Sequence, residues 1–399
     1  MQVLSASRLL LDDVLVEDGW VSILDGRIQA AGTGPPPAAP TSRLDDGVLA
    51  PGLVDAQCNG AFGVDLVDAD DAAWDLVLRS LPSTGVTAVV PTFITAPIPR
   101  LVDALRRAAA RIQAASEDHP PGRASALGVH VEGPFLNERR RGAHDADLLR
   151  DPDDAAIDAL LEAGGDALLY VTLAPERDGA LDAVARFVRS GVRVAVGHSD
   201  ASDDVVRAAA DAGATLVTHL YNAQRPLAHR DPGVVGAALT DPRLTAGLIV
   251  DLYHVAPTAV RLAFAAATGR IMLVTDAIAA LGMPPGRYDL GGRTTIVRDG
   301  RPPVREDGVL AGSDLRLDEA VGNAVRCGIA PETALLAATR VPADALGRDD
   351  VGRIVPGARA DLVWLGPDWR ARRTWIAGEA VTPHSPGGAA AAHPLQGPA

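Results

Sequence analysis

Three polar residues end apolar, strand-like segments of this 399-residue sequence, and their types suit hydrolysis assisted by a metal ion. Glu132 ends the run LGVHVE, while His198 and His219 lie in VRVAVGHSD and TLVTHLYNA. One carboxylate and two imidazoles leave a coordination position open, as in catalytic zinc sites. A divalent cation held this way lowers the pKa of a water ligand to about 7 and polarises a carbonyl group. It would also offset the cost of burying a carboxylate at a strand end.

A fourth residue, Asp276 in LVTDA, ends another such segment and is the candidate general acid and base. A carboxylate beside the attacking water can take its proton and later protonate a departing amine. Capping of the following helix is the structural alternative for Asp276. Gln57 and Asn59 lie where a second metal ion would need histidines, and neutral amides are poor ligands for transition metals. We therefore expect one divalent metal ion, most simply zinc, with iron, manganese and cobalt as alternatives.

Eight apolar segments alternate with amphipathic helical segments and would bring these residues together. The segments begin at residues 52, 86, 127, 167, 192, 215, 246 and 271. Continuous apolar strands are typical of a parallel sheet that is covered on both faces. Eight strand–helix units over roughly 250 residues favour a (β/α)8 TIM-like barrel, whose chemistry lies at the C-terminal strand ends. A glycine-rich phosphate fingerprint does not follow the first segment, which weakens a doubly wound dinucleotide-binding alternative.

The two ends of the chain have a different pattern, with short β-type runs separated by turns. We expect residues 1–50 and 345–382 to form one small β-sandwich domain together, because neither segment could bury a sheet face alone. Residues 51–344 would form the catalytic barrel, and the Pro/Gly/Ala-rich residues 383–399 a disordered tail. The predicted hairpin turns of the first segment are Asp18-Gly19 and Asp25-Gly26.

Composition excludes several classes of protein. The net charge of −14 and the pI near 5.0 argue against a surface for nucleic acid or anionic membranes. The sequence has no basic signal-peptide start and no run of the roughly 18 apolar residues that a membrane helix needs, so we expect a cytoplasmic protein. Two cysteines, Cys58 and Cys327, make no disulfide framework. All 37 basic residues are arginine, which excludes Schiff-base chemistry on lysine and a carbamylated lysine bridging two metals.

Eight motifs occur in an order known from one enzyme family. They are PGLVDAQCNG, GVHVEGPFLN, TLAPE, GHSDA, THLYNA, HRDPGVVG, LVTDA and LAGSDL. From about residue 50 to 365 the chain resembles the N-acetylglucosamine-6-phosphate deacetylases of the amidohydrolase superfamily. The resemblance implies hydrolysis of the acetamide of N-acetylglucosamine 6-phosphate to glucosamine 6-phosphate and acetate, in amino-sugar catabolism or recycling. It also implies a homodimer.

The resemblance assigns roles to individual residues. It places the metal on Glu132, His198 and His219 and makes Asp276 the acid and base. His144, in RRGAHDA, would hydrogen-bond the acetyl carbonyl group. The remaining substrate contacts would come from residues near the sugar phosphate and the acetyl group: Asn222, Ala223, Arg230 from the partner subunit, His254, Leu310, Ala311 and Gly312.

Two departures from the family pattern flank the implied sugar site. Gln224 replaces the usual methionine, and Leu252-Tyr253 replaces the usual Gly-Leu before His254. The exact sugar is therefore open, and so are two alternatives: hydrolysis of another N-acetylated sugar or an N-acyl amino acid on the same scaffold, and a non-catalytic sugar-phosphate sensor. The run Arg139–Arg141 is favoured as a solvated charged surface.

Overall fold

A computed structural model describes residues 1–118, 121–291, 294–298 and 301–381. Elements are numbered in chain order. The centre of the protein is a barrel of eight parallel strands: β6 (Leu53–Cys58), β9 (Val86–Ile94), β11 (Val129–Glu132), β12 (Leu168–Leu173), β13 (Arg193–Val196), β14 (Leu216–Val217), β15 (Thr245–Leu248) and β16 (Ile271–Leu273). These strands correspond to the eight apolar segments, and the predicted TIM-like barrel is confirmed.

The barrel strands pair in the order β6-β9-β11-β12-β13-β14-β15-β16, and a short strand, β10 (Ser125–Ala126), adds to β9. The two ends of this series meet beyond β16, where the backbone N–H of Asp276 donates to the carbonyl oxygen of Gln57 at 2.9 Å. The first and last barrel strands therefore place Gln57 beside Asp276.

Helices cover the outside of the barrel because their apolar residues recur at helical spacing. In α4 the buried residues are Ala180, Ala183, Val184 and Phe187, which fall on one face. Three helices begin with a side-chain cap, for example Ser202, which accepts the backbone N–H of Val205. The helices are α1 (Asp71–Ser80), α2 (Ile98–Asp118), α3 (Asp154–Gly164), α4 (Ala180–Arg189), α5 (Asp203–Asp211), α6 (Gly233–Thr240), α7 (Pro257–Ala266), α8 (Leu317–Arg326), α9 (Pro331–Leu336) and α10 (Arg340–Ala345).

Strands from both chain ends form one further sheet, in the order β22-β21-β20-β5-β1-β2-β3 with β4 beside β1. The sheet curls, because the backbone N–H of Ile28 donates to Ala358 and that of Ala360 donates to Gly26, both at 2.9 Å. It encloses its own apolar core, which includes Trp375. The strands are β1 (Gln2–Leu11), β2 (Val14–Leu24), β3 (Arg27–Thr33), β4 (Ser42–Leu44), β5 (Val48–Pro51), β20 (Leu362–Leu365), β21 (Ala371–Ile376) and β22 (Glu379–Val381). The predicted joint β domain is confirmed as an architecture; its exact boundaries stay a prediction, and the predicted tail lies outside the described residues.

One predicted turn is wrong. β2 continues through Asp18 and Gly19, and Gly19 pairs with Ala6 of β1. A side chain at Gly19 would collide with Leu9, so this glycine permits close packing between two strands and makes no turn. The second predicted turn, Asp25-Gly26, does join β2 to β3.

Two small antiparallel units lie beside the C-terminal ends of the barrel strands. One consists of β7 (Gly60–Ala61) and β8 (Val64–Asp65), and the other of β17 (Gly286–Leu290), β18 (Thr294–Arg298) and β19 (Val304–Arg305). Leu290, at the end of β17, packs with Ile94, Ile278 and Ala311 in a separate apolar cluster. Across the described ranges, none of the helices is both long and apolar enough to cross a membrane.

A substitution at Gly47, between β4 and β5, tests how tightly this part of the end sheet packs against Leu365. Its φ is +75°, and a Cβ atom there would collide with the carbonyl oxygen of Leu365. Gly34 has the same φ of +75° with no atom within 4 Å, so Gly34→Ala is the matched control. A left-handed alanine costs about 1–2 kcal/mol, and overpacking adds about 1–3 kcal/mol. We expect denaturant unfolding to show a larger loss of unfolding free energy for Gly47→Ala; equal losses would contradict this packing.

Candidate active site

The three predicted metal ligands meet at the mouth of the barrel. Glu132 is the last residue of β11, while His198 and His219 follow β13 and β14. Glu132 Oε1 lies 3.0 Å from each Nε2 atom, and the two Nε2 atoms lie 3.1 Å apart. All three side chains are buried, so little solvent reaches the polar atoms that face one another.

The tautomer of His198 decides what this cluster can bind. His198 Nδ1 lies 2.8 Å from the carbonyl oxygen of Arg140, which can only accept, so Nδ1 carries the proton. When the ring carries no second proton, its Nε2 atom presents a lone pair towards the carboxylate of Glu132 and His219. Ligands of a tetrahedral zinc ion, each about 2.0–2.1 Å from the metal, lie ~3.3 Å apart. The donor types and their spacing therefore fit one divalent cation.

Electrostatics at this point also favour a positive charge. Burial alone would raise the pKa of Glu132, but hydrogen bonds and charge from His198 and His219 hold it well below its usual range. Burial alone would lower the pKa of His219, but the hydrogen bond and charge of Glu132 raise it to about 8. The carboxylate therefore stays ionised and stabilises positive charge where the three ligand atoms meet.

The backbone is strained at three of the five predicted metal-binding and catalytic residues. His198, His219 and Asp276 have φ values of +47°, +26° and +50°. Such conformations cost non-glycine residues on the order of 1–3 kcal/mol each, and they cluster at functional sites. Here they redirect the chain just beyond the barrel strands, where all three side chains line the same cavity.

Asp276 is joined to the metal-ligand cluster through Gln57. Gln57 Nε2 donates to Glu132 Oε2 and to Asp276 Oδ1, both at 3.1 Å, and Asn59 Nδ2 donates to Asp276 Oδ1 at 2.7 Å. Burial and the nearby charge of Glu132 raise the pKa of Asp276 to about 6. The sequence analysis considers Gln57 and Asn59 only as poor metal ligands. It does not predict their hydrogen bonds to the two carboxylates.

Asp55 is a further buried acidic residue, and the sequence analysis does not single it out. It lies in β6 and accepts Thr275 Oγ1 at 2.6 Å and the backbone N–H of Thr275 at 3.2 Å. Burial raises the pKa of Asp55 to about 7. Asp55 therefore ties β6 to the residue that precedes Asp276.

His144 reaches the same cavity from the loop after β11. Its Nδ1 atom lies 2.8 Å from Thr95 Oγ1 and accepts the backbone N–H of Thr95 at 3.4 Å, so the ring proton belongs on Nε2. Burial, and then the charge of His198, lower the pKa of His144 to about 3. The imidazole is therefore neutral at neutral pH and can donate one hydrogen bond from Nε2.

The cavity at the barrel mouth has a volume of about 330 Å³ and is lined by two chemically different groups of residues, which we call the polar end and the apolar end. The polar end includes Asn222, Ala223 and His254, as the sequence predicts. The apolar end includes Ile94, Leu290, Val309, Leu310 and Gly312. Two predicted contacts lie elsewhere within the described part of the chain: Ala311 is buried in the neighbouring apolar cluster, and Arg230 is exposed and away from this wall.

The two departures from the family pattern do not reach the cavity wall. Gln224 is buried, accepts the backbone N–H of Tyr221 at 3.0 Å and donates to Thr218 at 2.7 Å, so it braces the turn that carries Asn222. Leu252 has a φ of +68°, a conformation that glycine adopts without steric cost. Gln224, Leu252 and Tyr253 are not among the residues that line the cavity, and Tyr253 is exposed.

Comparisons with known proteins agree with this geometry. Residues 48–381 match the Amidohydrolase family. N-acetylgalactosamine-6-phosphate deacetylase of Escherichia coli O157:H7 is 40% identical over 94% of this chain and 98% of that protein. N-acetylglucosamine-6-phosphate deacetylase of Vibrio furnissii is 38% identical over 84% of this chain and 82% of that protein.

A solved structure is also similar. It is the Mycobacterium smegmatis N-acetyl-D-glucosamine-6-phosphate deacetylase, an Asp-to-Ala mutant in complex with N-acetyl-D-glucosamine 6-phosphate. It is 36% identical and has a TM-score of 0.90, covering 95% of this chain and 99% of that one. The chain therefore belongs to the amidohydrolase family. The resemblance inferred from the sequence motifs is confirmed, and so is its implication that the protein is a hydrolase.

The raised pKa of Asp55 predicts how stability depends on pH. Between about pH 4 and pH 7 the folded state keeps a proton on Asp55 that the unfolded state releases, so its contribution to stability falls as pH rises. Asp55→Asn keeps the shape of the side chain and cannot ionise. We expect the unfolding midpoint of this variant, relative to wild type, to rise across that window at constant metal concentration. A pH-independent difference would show that Asp55 does not titrate there.

Proposed function

We propose that this protein hydrolyses the acetamide of N-acetylglucosamine 6-phosphate to glucosamine 6-phosphate and acetate, using one divalent metal ion, zinc in the simplest case. The observation that carries the proposal is the buried Glu132–His198–His219 set, joined to Asp276 through one amide. Relatives named as deacetylases of N-acetylhexosamine 6-phosphates support the choice of substrate. When bound, the cation supplies a Lewis acid that polarises the acetyl carbonyl and makes a water molecule more acidic.

Asp276 moves the protons of the reaction. Its Oδ1 atom is held by Gln57 and Asn59, which leaves Oδ2 to take the proton of the attacking water. The same carboxyl group then protonates the nitrogen as the C–N bond breaks. His144 donates from Nε2 to the carbonyl oxygen and stabilises the negative charge that develops there. Because the neutral ring already carries its proton on Nε2, it can donate this hydrogen bond without first gaining a proton.

The two ends of the cavity suit the two ends of this substrate. The apolar end, with the backbone around Leu310–Gly312, accommodates the acetyl methyl group. The polar end, with Asn222, Ala223 and His254, binds the sugar phosphate. A hydrogen-bonding imidazole and nearby amide groups are suitable partners for phosphate oxygens.

Arg230 completes the phosphate site from a second copy of the chain. The backbone groups of Ala228 and Asp231 bond to each other at 3.0 and 3.1 Å, which presents His229 and Arg230 at the tip of a tight turn. This tip is exposed and lies away from the cavity of its own chain. A protruding arginine suits bidentate binding of a phosphate in a neighbouring subunit of a homodimer.

The C4 epimer, N-acetylgalactosamine 6-phosphate, is the second candidate substrate. It is favoured by the 40% identity with the Escherichia coli enzyme named for that sugar, over 94% of this chain. Both sugars carry the acetamide and the phosphate group that the site residues are proposed to contact.

Measurement of kcat/KM for the two epimers, with the unphosphorylated sugars and N-acetyl amino acids as controls, ranks them. Equal values for phosphorylated and unphosphorylated sugars would remove the phosphate site from the proposal.

Asp276→Asn tests the acid and base assignment. The amide cannot accept or return a proton, so acetate release should fall by about 10²–10⁴-fold in kcat. The metal content, measured by elemental analysis, should remain that of wild type because Asp276 is not a ligand. Unchanged binding and turnover in this variant, together with an absence of stoichiometric metal, would favour the sugar-phosphate sensor.

Mixed dimers test the position of Arg230. Co-expression of Asp276→Asn and Arg230→Ala chains with different tags allows purification of the heterodimer. If Arg230 acts across the interface, one of the two sites receives both intact residues, and the heterodimer should exceed both parent homodimers in kcat/KM. If Arg230 acts within its own chain, no site has both residues, and the heterodimer should be no better than the parents.

A further inference from the structure

One arginine on the cavity wall has no ion-pair partner among the described residues. Arg139 lies in the 3₁₀ turn Glu138–Arg140, and its backbone N–H donates to Asn137 Oδ1 at 2.8 Å. Its side chain is exposed and lines the cavity at the barrel mouth. Among the residues that the structure describes, its guanidinium group has no carboxylate partner and no hydrogen bond. Arg140 differs, because its guanidinium group pairs with Asp200 at 2.7 Å.

The turn that carries Arg139 is fixed to the metal-ligand region on both sides. The backbone N–H of Asn137 donates to the carbonyl oxygen of His198 at 3.0 Å, and His198 Nδ1 donates to the carbonyl oxygen of Arg140 at 2.8 Å. Arg139 is therefore bracketed by two residues that hold the same histidine. A cavity wall built this way is a fixed support for a charged side chain.

The same loop approaches the polar end of the cavity. A Cβ atom on Gly142 would lie 3.2 Å from His198 Cε1 and 3.8 Å from Ala223 Cβ. Ala223 and Asn222 form the turn proposed above to bind the sugar phosphate. Arg139 therefore belongs to the loop that borders the phosphate end.

A phosphate bound at this end needs positive charge that the other wall residues do not supply. His254 Nδ1 lies 2.7 Å from Asp251 Oδ2, so any charge on His254 is already matched. Arg140 is matched by Asp200, and Glu132 and Asp276 add negative charge at the centre of the cavity. In the described part of this chain, Arg139 is the cation on the wall that remains available.

We propose that Arg139 binds the phosphate group of the substrate within the same chain and thereby selects phosphorylated over unphosphorylated sugars. The inference rests on the proposed function, and it adds a second arginine to the one that the partner subunit would supply. Two guanidinium groups from different subunits match the charge of a phosphate dianion. Each can also donate two hydrogen bonds to the phosphate oxygens. The run Arg139–Arg141 is then only partly a solvated surface.

Arg139→Gln tests this role, with Arg141→Gln as the matched control. Both variants lose one positive charge from the same run, but only Arg139 lines the cavity. We expect Arg139→Gln to raise KM for N-acetylglucosamine 6-phosphate by about tenfold to a hundredfold, the range for loss of a charged hydrogen bond, with little change in kcat. KM for the unphosphorylated sugar should not change, Arg139→Lys should recover part of the loss, and Arg141→Gln should match wild type.

Binding of the product makes the test independent of turnover. Calorimetric titration with glucosamine 6-phosphate and with glucosamine should show weaker binding of the phosphorylated sugar alone in Arg139→Gln. If wild type hydrolyses the 6-phosphate and Arg139→Gln behaves like Arg141→Gln, the role of Arg139 is overturned while the function stands. If wild type binds the sugar phosphate through Arg139 without hydrolysing it, the proposed function fails and this inference stands. An equal loss for both sugars would mean a general disturbance of the loop and would also overturn the inference.

Discussion

Three ligand atoms that meet at one buried point, Glu132 Oε1 and the Nε2 atoms of His198 and His219, are the constraint on which this structure depends. The carbonyl oxygen of Arg140 holds the proton of His198 on Nδ1, so the other ring nitrogen faces Glu132 and His219 as an acceptor. Polar atoms this close need a proton or a cation between them, and their burial leaves little solvent to take its place. A divalent cation removes the conflict with the ligand types that it prefers. The strained backbone at the two histidines is the conformational cost of this convergence.

Two carboxylates must also share this small site without cancelling each other's function. In the proposed mechanism Glu132 is needed as an anion, whereas Asp276 must gain and lose a proton. Gln57 donates one hydrogen bond to each of them, and Asn59 donates a further one to Asp276. Amides suit this position because they donate hydrogen bonds without adding charge. Glu132 can therefore stay ionised as a ligand while Asp276, as the proposed proton carrier, changes its protonation. The same amides are poor ligands for a transition metal, which favours the proposed single ion over a pair of ions.

The sequence predicted the residues that strand ends bring together, because a parallel barrel places all its C-terminal strand ends on one side. It could not predict the hydrogen bonds of Gln57 and Asp55, since these reach residues 75 and 220 positions away. Asp18-Gly19 is a typical turn pair, and only the packing of Leu9 shows that the glycine lies inside a strand. The exposed run around Arg139 is equally typical of a solvated surface, and only the course of its loop places Arg139 and Arg140 on the cavity wall. The local sequence pattern therefore predicts a residue's position where the barrel topology determines it. It does not predict contacts that depend on residues far away in the sequence.

The most direct test of this account is to locate the metal in crystals of the purified protein. Anomalous diffraction at the metal absorption edge, combined with elemental analysis, gives both the position and the number of ions per chain. The account predicts one ion within about 2.0–2.2 Å of a Glu132 oxygen and of the Nε2 atoms of His198 and His219. An ion bound elsewhere with these three side chains unligated, or a second ion on Gln57 and Asn59, would contradict it.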